Sequence, residues 1–285
     1  MSCIVLSTSG REKSSLRYRK LLEKLGILDI EYKVFQSSNT IAASIDPEDF
    51  IKAVLSVDVP CIGAAISKDI KGKVVRFLNE LDDSARIVQS VNTIVNENGV
   101  LTGYNTDVYG FREAISHSIE KAVSESLRPC KNAIIYGYGG VTSVAVHVLI
   151  SLGVTKIYLT GRNLHKAAER AAELKVSVWT KDIPCDIFIN ASPVTDFPLD
   201  RAENFLDALM PSAGPPQIVF DHEMPGLCLK RWVAEHPECP RVLYVSGYEM
   251  YYPQMKRQWG LFLRQRVDQQ AVTTALDELI QEEVR

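Results

Sequence analysis

The sequence predicts an α/β protein assembled from two consecutive sheet-and-helix units, and three observations carry that prediction. Strand-like and helix-like segments alternate along nearly the whole chain, the pattern of parallel strands whose faces are covered by helices. Near the middle, a glycine-rich turn, Gly137-Tyr138-Gly139-Gly140, joins one such strand to one such helix. The 285 residues exceed the usual size of one small domain. A composition of 46% hydrophobic and 24% charged residues leaves ample apolar side chain for a core and argues against wholesale disorder.

The first unit opens with a strand at Cys3–Thr8. A helix at Ser14–Leu25 follows, with Tyr18, Leu21, Leu22 and Leu25 on one face and Gly26 as its stop. Ile30–Gln36 reads as a second strand. Asp46-Pro47-Glu48 starts a helix whose Phe50, Ile51, Val54 and Leu55 point inward. Ile62–Ile66 is a short buried strand, and the phase of Val74, Leu78 and Leu81 predicts a helix over Lys71–Leu81. Val91–Val95 and Val100–Tyr104 flank Asn96-Glu97-Asn98-Gly99, a tetrapeptide that should reverse the chain into a hairpin.

A long helix, Asp107–Ser126, and the breaker Arg128-Pro129 lead into the second unit. Its pieces are Ala133–Tyr136, Val141–Leu152, Lys156–Thr160, Leu164–Leu174, Asp186–Asn190, Ile218–Phe220 and Val242–Val245, with a loop at Pro211–Pro216. After Gly247, Met250–Val267 and Gln270–Glu283 are helical patterns that can return to either unit.

Composition removes several function classes. Lys and Arg total 32 against 35 Asp and Glu, a net charge of −3, so no positive excess exists to neutralise phosphates and direct nucleic-acid binding is not expected. No run approaches the roughly 18 apolar residues that cross a bilayer, and the N-terminus lacks the basic start of a secretory signal. The expectation is a soluble, cytoplasmic protein without a membrane partner. Six scattered cysteines form no Cys-x-x-Cys pair and five histidines form no i, i+4 pair, so neither a disulfide framework nor a metal site is expected.

The glycine turn has the context of a dinucleotide site. The strand Ala133–Tyr136 runs into the turn, and the turn into a helix carrying Val144, Val148, Leu149 and Leu152. Glycines let the backbone approach a pyrophosphate, while the helix start offers free N–H groups and a positive dipole end. This reading makes the second unit Rossmann-type. The next strand ends in Thr160-Gly161-Arg162-Asn163, with Lys166 close behind. Cations in place of a ribose-binding carboxylate favour NADP over NAD, although Arg162 and Lys166 also suit a solvated helix start.

Two more segments narrow the field: Ser90-Val91-Asn92-Thr93 and Gly103-Tyr104-Asn105-Thr106-Asp107, with Lys71 twenty-one residues before Asn92. Together with Gly137–Gly140, Asn190-Ala191-Ser192-Pro193-Val194 and Gly247-Tyr248-Glu249-Met250 … Gln254, the chain resembles the shikimate/quinate dehydrogenase family over nearly its whole length. The resemblance implies a substrate-binding domain at 1–106, completed by C-terminal helices at 248–285, facing an NADP-binding domain at 107–247 across a cleft. It implies Lys71 and Asp107 as the catalytic pair. Lysine would take the alcohol proton as hydride leaves the carbon, and aspartate would orient the lysine and the substrate hydroxyl. Ser14, Ser67, Asn92 and Gln254 fall at substrate-binding positions. Gly137, Gly139, Gly140, Val141, Arg162, Asn163, Lys166, Ser192 and Gly247 fall at cofactor-binding ones. The implied substrate is a small cyclitol acid of the shikimate or quinate type.

The chain also departs from the family pattern. S-x-S-P has become Glu12-Lys13-Ser14-Ser15, with Ser7-Thr8-Ser9 as another register. N-V-T-x-P-x-K has become Ala65-Ile66-Ser67-Lys68-Asp69-Ile70-Lys71, and Met224 stands at the tyrosine of D-x-x-Y. Tyr138 replaces a small residue in the glycine turn, Ser143 stands where an arginine is common, and N-R-T has become Gly161-Arg162-Asn163. The departures touch binding groups and spare the Lys71/Asp107 pair. The expected function is therefore an NADP-dependent shikimate or quinate dehydrogenase-like oxidoreductase. The alternative is a catalytically impaired, ligand-sensing domain of a quinate-pathway regulator.

Overall fold

The computed structural model describes residues 2–6, 12–35, 45–56, 60–66, 70–124, 129–180, 183–192, 206, 215–222, 227–236 and 242–284. Ser7–Ser9, Ser67, Arg128, Pro193-Val194, the first four residues of the Pro211–Pro216 loop and Met224 lie outside the described residues. Two compact units emerge, one of residues 1–106 with 255–285, the other of residues 107–254.

In the first unit a six-stranded sheet has the order β2-β1-β3-β5-β6-β4. β1 (Ser2–Leu6) lies parallel to β2 (Ile30–Val34) and to β3 (Cys61–Ala65). β5 (Thr93–Glu97) runs antiparallel to both β3 and β6 (Val100–Tyr104), and β4 (Glu80–Leu81) closes the edge parallel to β6. The hairpin between β5 and β6 forms where the sequence places it. Asn98 and Gly99 adopt left-handed φ values of 55° and 90°, and Asn96 Oδ1 accepts from the Gly99 N–H at 2.9 Å. α1 (Glu12–Lys24) puts Leu21 and Leu22 in the core and turns at Gly26, φ 68°. α2 (Pro47–Val54) starts at Asp46, whose Oδ1 accepts from the Glu48 and Asp49 N–H groups at 2.9 and 3.0 Å.

The helix expected over Lys71–Leu81 does not form. Lys71 and its neighbours make a turn, Val75–Phe77 a single 3-10 turn, and Glu80–Leu81 the edge strand β4. Tertiary pairing overrides the helical phase. Asn79 exchanges bonds with Leu101, N–H to carbonyl at 3.0 Å and Oδ1 from the Leu101 N–H at 2.8 Å, while Leu78 and Leu81 pack over the bare Cα of Gly103. A short helix that the sequence reading missed, α3 (Asp83–Val88), follows, capped by Asp82.

The second unit begins one residue into α4 (Thr106–Ser124), which buries Phe111, Ala114, Ile115 and Ala122. Its sheet is entirely parallel, with order β9-β8-β7-β10-β11-β12. The strands are β7 (Asn132–Tyr136), β8 (Lys156–Thr160), β9 (Ser177–Val178), β10 (Ile187–Asn190), β11 (Ile218–Asp221) and β12 (Leu243–Ser246). Counted from β7, this is the 3-2-1-4-5-6 order of a doubly wound dinucleotide fold. α5 (Gly140–Ser151), α6 (Leu164–Leu174) and α7 (Leu227–Glu235) connect the strands. β10 and β11 are buried throughout, as strands covered on both faces should be.

Two C-terminal helices complete the chain, α8 (Gly247–Leu263) and α9 (Gln269–Val284), and the division between the units falls inside α8. Trp259 is wholly buried in the first unit against Tyr18, ring centroids 5.0 Å apart. No helix among the described residues is long and apolar enough to cross a membrane.

Candidate active site

In a doubly wound sheet the ligand crevice opens at the carboxyl ends of the strands where the order reverses. Here that point lies between β7 and β10. Gly137 follows β7 with φ 134°, a conformation that favours glycine. A Cβ there would lie 2.8 Å from the Ala191 carbonyl carbon and 3.0 Å from the Ser192 nitrogen, so the two loops can approach only over a glycine. Ser192 is fixed in turn. Its N–H and Oγ both donate to Asn190 Oδ1, at 3.1 and 2.6 Å, and Asn190 Nδ2 donates to Asp221 at 2.9 Å. The structure thus brings together Gly137 and Ser192, two residues that the sequence places far apart.

Gly139 and Gly140 tell a different story. Neither has a left-handed φ, and a Cβ at either would meet nothing within 4 Å. Internal packing therefore gives no reason for glycine at these positions. No side chain caps the start of α5, whose first turn also holds Val141. A bare backbone, an uncapped helix start and the switch point together fit a pyrophosphate. Thr142, which the sequence reading missed, braces the turn through an Oγ1–H bond to the Gly137 carbonyl at 3.2 Å.

At the end of β8, Arg162, Asn163 and Lys166 are exposed. Asn163 is the N-cap of α6, its Oδ1 accepting from the Lys166 N–H at 3.0 Å, so its side chain is engaged by the helix. Ser143, where an arginine was expected, instead meets the guanidinium of Arg170 from α6. Gly247 begins α8 beside a reciprocal cap. The Ser246 N–H donates to Glu249 Oε1 at 3.1 Å, and Ser246 Oγ accepts from the Tyr248 N–H at 3.3 Å.

In the first unit the motif residues converge on Asn92, which is only 3% exposed. Its Oδ1 accepts from the Thr106 N–H at 2.9 Å and from Thr93 Oγ1 at 2.8 Å, and its Nδ2 donates to Thr106 Oγ1 at 3.0 Å. Asn105 Nδ2 donates to the Ser90 carbonyl at 2.8 Å. The Lys71 carbonyl accepts from the Val91 N–H at 2.9 Å, fixing the lysine backbone one residue from Asn92. The two quoted segments and Lys71 therefore form one hydrogen-bonded cluster. Asn92 is a framework residue of that cluster as well as a predicted substrate contact.

Gln258 belongs to the same cluster and was missed. It is buried, with Nε2 donating to Thr93 Oγ1 at 2.8 Å and to the Asn92 carbonyl at 3.3 Å, while Tyr18 OH donates to its Oε1 at 3.4 Å. Its spacing of four from Gln254 on one helix was the signal available in the sequence. In the second unit, Asp107 opens α4 and Gln254 lies on α8. The two helices cross at Gly110, where a Cβ would overlap the Met250 carbonyl oxygen and lie 2.8 Å from Gln254 Cβ. Gly110 is one turn after Asp107, so this crossing brings Gln254 to the start of α4. Ser67 lies outside the described residues, and of Ser14 only the backbone, within α1, is described. No group of three or more His, Cys, Asp or Glu among the described residues could hold a metal ion.

The fold and the site define a two-unit α/β protein with a dinucleotide-type second unit. No family model matches the chain. It is 40% identical over 138 residues to a shikimate dehydrogenase (NADP(+)) from Desulforamulus reducens, a match spanning 48% of this chain and 45% of that protein. Many of the curated relatives are matched over only about half their length. A shikimate dehydrogenase-like protein from Haemophilus influenzae is 27% identical over 277 residues, covering 95% of this chain and 94% of the relative. A solved shikimate 5-dehydrogenase-like protein superposes with a TM-score of 0.72 at 25% identity, covering 97% of this chain and 96% of its own. Over nearly its whole length the chain is thus similar to proteins of the shikimate/quinate dehydrogenase family.

Proposed function

We infer that the chain is an NADP-dependent dehydrogenase interconverting a shikimate- or quinate-type cyclitol acid and the corresponding ketone. The observation that carries this reading is the Asn92 cluster, in which Lys71, the Ser90–Thr93 segment and Asn105-Thr106 are tied together by short hydrogen bonds. Such an investment of buried polar groups fixes the chain around Lys71 and the entry to Asp107. NADP, when bound, supplies the hydride acceptor.

This chain's own residues do the rest. As the carbinol hydrogen leaves as hydride, the Lys71 amine takes the hydroxyl proton, and in the reverse direction its ammonium returns that proton to the carbonyl oxygen. Asp107 orients the ammonium and the hydroxyl, and Gln254 donates to or accepts from a ring hydroxyl. Asn92 holds Thr106 and Thr93 in place around the same ring. Gly139 and Gly140 admit the pyrophosphate to the start of α5, and Arg162 and Lys166 pair with the 2′-phosphate. Only the second serine of the carboxylate-binding pair is retained at 12–15, which points to shikimate, quinate or a relative held by altered carboxylate contacts.

The test is NADP reduction by the purified protein over a panel of shikimate, quinate and related cyclitol acids, paired with thermal shifts for each ligand. Turnover with at least one member supports the reading. Ligand-dependent stabilisation with no turnover across pH 7 to 10 would replace it with the ligand-sensing alternative, to which the comparisons give no support.

A further inference from the structure

Two departures from the family pattern, a tyrosine at position 138 and a glycine at position 161, are packed against each other. Gly161 directly follows β8, and the Gly137 N–H bond to the Thr160 carbonyl, 2.9 Å, draws the glycine turn up to the end of that strand. A Cβ built on Gly161 would lie 3.2 Å from Tyr138 Cε1 and 3.3 Å from Cδ1, and its next neighbour, the Gly137 nitrogen, is 3.6 Å away. The φ of Gly161 is outside the left-handed region, so the backbone does not demand glycine there. The ring does. Gly161 is buried and Tyr138 half-buried, so the ring covers the strand end, while the Cβ positions of Gly139 and Gly140 remain open.

In a doubly wound sheet the end of this second strand is where the adenosine ribose of a dinucleotide is gripped. Arg162, the next residue, is exposed there. We propose that the Tyr138 ring, seated in the notch that Gly161 leaves, is a wall of the adenosine-ribose subsite and determines how well a 2′-phosphorylated ribose is held against Arg162. This rests on the dinucleotide reading of the turn and adds to it a specificity-determining residue. A flat aromatic face limits where the ribose can sit at little entropic cost, because a ring has few rotatable bonds to fix. A larger residue at 161 would push the ring off the strand end, and a small one at 138 would open a gap beside the ribose. The two positions therefore compensate each other.

The experiment compares wild type, Tyr138→Ala, Gly161→Val and the double variant by calorimetric titration with 2′,5′-ADP and 5′-AMP, probes that lack the nicotinamide. Urea unfolding of the same four proteins gives a second readout. Tyr138→Ala should lower the preference for 2′,5′-ADP over 5′-AMP about fivefold to tenfold, the scale of one lost aromatic contact. Gly161→Val should lower it similarly and also reduce the unfolding midpoint. The double variant should recover the midpoint without recovering the preference. An unchanged preference in both single variants, with wild type binding 2′,5′-ADP, overturns the wall. Additive stability losses in the double variant overturn the pairing. A wild-type protein that binds neither nucleotide overturns the dinucleotide reading itself, and the wall with it.

Discussion

Replacing Gly110 by alanine tests the packing that sets Gln254 beside the first turn of α4. The added Cβ would overlap the Met250 carbonyl oxygen and stand 2.8 Å from Gln254 Cβ and 3.0 Å from the Gln254 nitrogen. Carbon contacts settle near 3.5–4.0 Å, so α8 must move away by about 1 Å, and two of the three obstacles are backbone. Overpacking of this kind costs about 1–3 kcal/mol, and rigid backbone places the case toward the upper end. Removing a glycine from a helix interior returns about 1 kcal/mol, leaving a net loss of about 2 kcal/mol. At 2–4 °C per kcal/mol for a unit of this size, the melting temperature falls by roughly 4–8 °C. A displacement of about 1 Å at a reacting group lowers kcat/KM on the order of a hundredfold. Gly260→Ala is the control on the same helix. Its Cβ would meet first the end of the flexible Gln269 side chain at 3.3 Å, so it should leave stability unchanged or raise it by up to about 1 kcal/mol. Differential scanning calorimetry and steady-state kinetics on the two variants make the comparison. A Gly110→Ala protein as stable and as active as Gly260→Ala would refute the reasoning.

Other outcomes follow from charge and burial. Burial, aided by the nearby Arg112, holds the His147 imidazole below its ordinary value of 6.5. Its contribution to stability is complete above that value and is lost as pH falls through the lower folded-state value; His147→Gln should flatten the acid limb of a stability–pH profile below pH 6.5. A steeper acid limb in the variant would contradict this. Burial, with Cys3 beside it in register across β1 and β3, pushes the Cys61 thiol up to about 12. At pH 8 only about one part in ten thousand is thiolate, so a thiol-specific disulfide reagent should leave Cys3 and Cys61 unmodified until denaturant is added, as peptide mapping would read. Asn92→Ala removes an acceptor for two protein donors and should destabilise the first unit by about 2–4 kcal/mol in urea unfolding; a loss under about 0.5 kcal/mol would show that the cluster is not structural.

Local rules made much of this fold legible. The Asn96–Gly99 reversal needs left-handed backbone at Asn98 and Gly99, and the sequence supplies the two residue types that tolerate it. Asp46-Pro47 names both cap and first turn of α2. The strand–glycine–helix succession at 132–151 is readable because each piece follows from its own residues. The helix drawn over Lys71–Leu81 failed because Val74, Leu78 and Leu81 are apolar for two separate reasons. Val74 is wholly buried in the core, whereas Leu78 and Leu81 face the side-chain-free Cα of Gly103 across an edge pairing that no local pattern encodes.

The site divides in the same way. Lys71, Asn92 and the glycine turn could be picked out because motif residues stand at specific spacings. Thr142 could not, because its importance lies in the Gly137 carbonyl that only the folded chain brings within reach, and Gln258 offered only its spacing from Gln254, its partner Thr93 being supplied by the fold. The dependence of Gly161 on Tyr138 is another such case. In the sequence they are two unrelated departures separated by a helix and a strand, and in space they are one contact.

The most direct measurement is the rate of NADP reduction, with the best cyclitol acid from the panel, by wild type and Lys71→Ala, alongside the NADP dissociation constant of each. If Lys71 carries the proton, kcat falls on the order of a hundredfold to ten-thousandfold while NADP binding changes less than about twofold. Equal kcat in the two proteins would contradict the account.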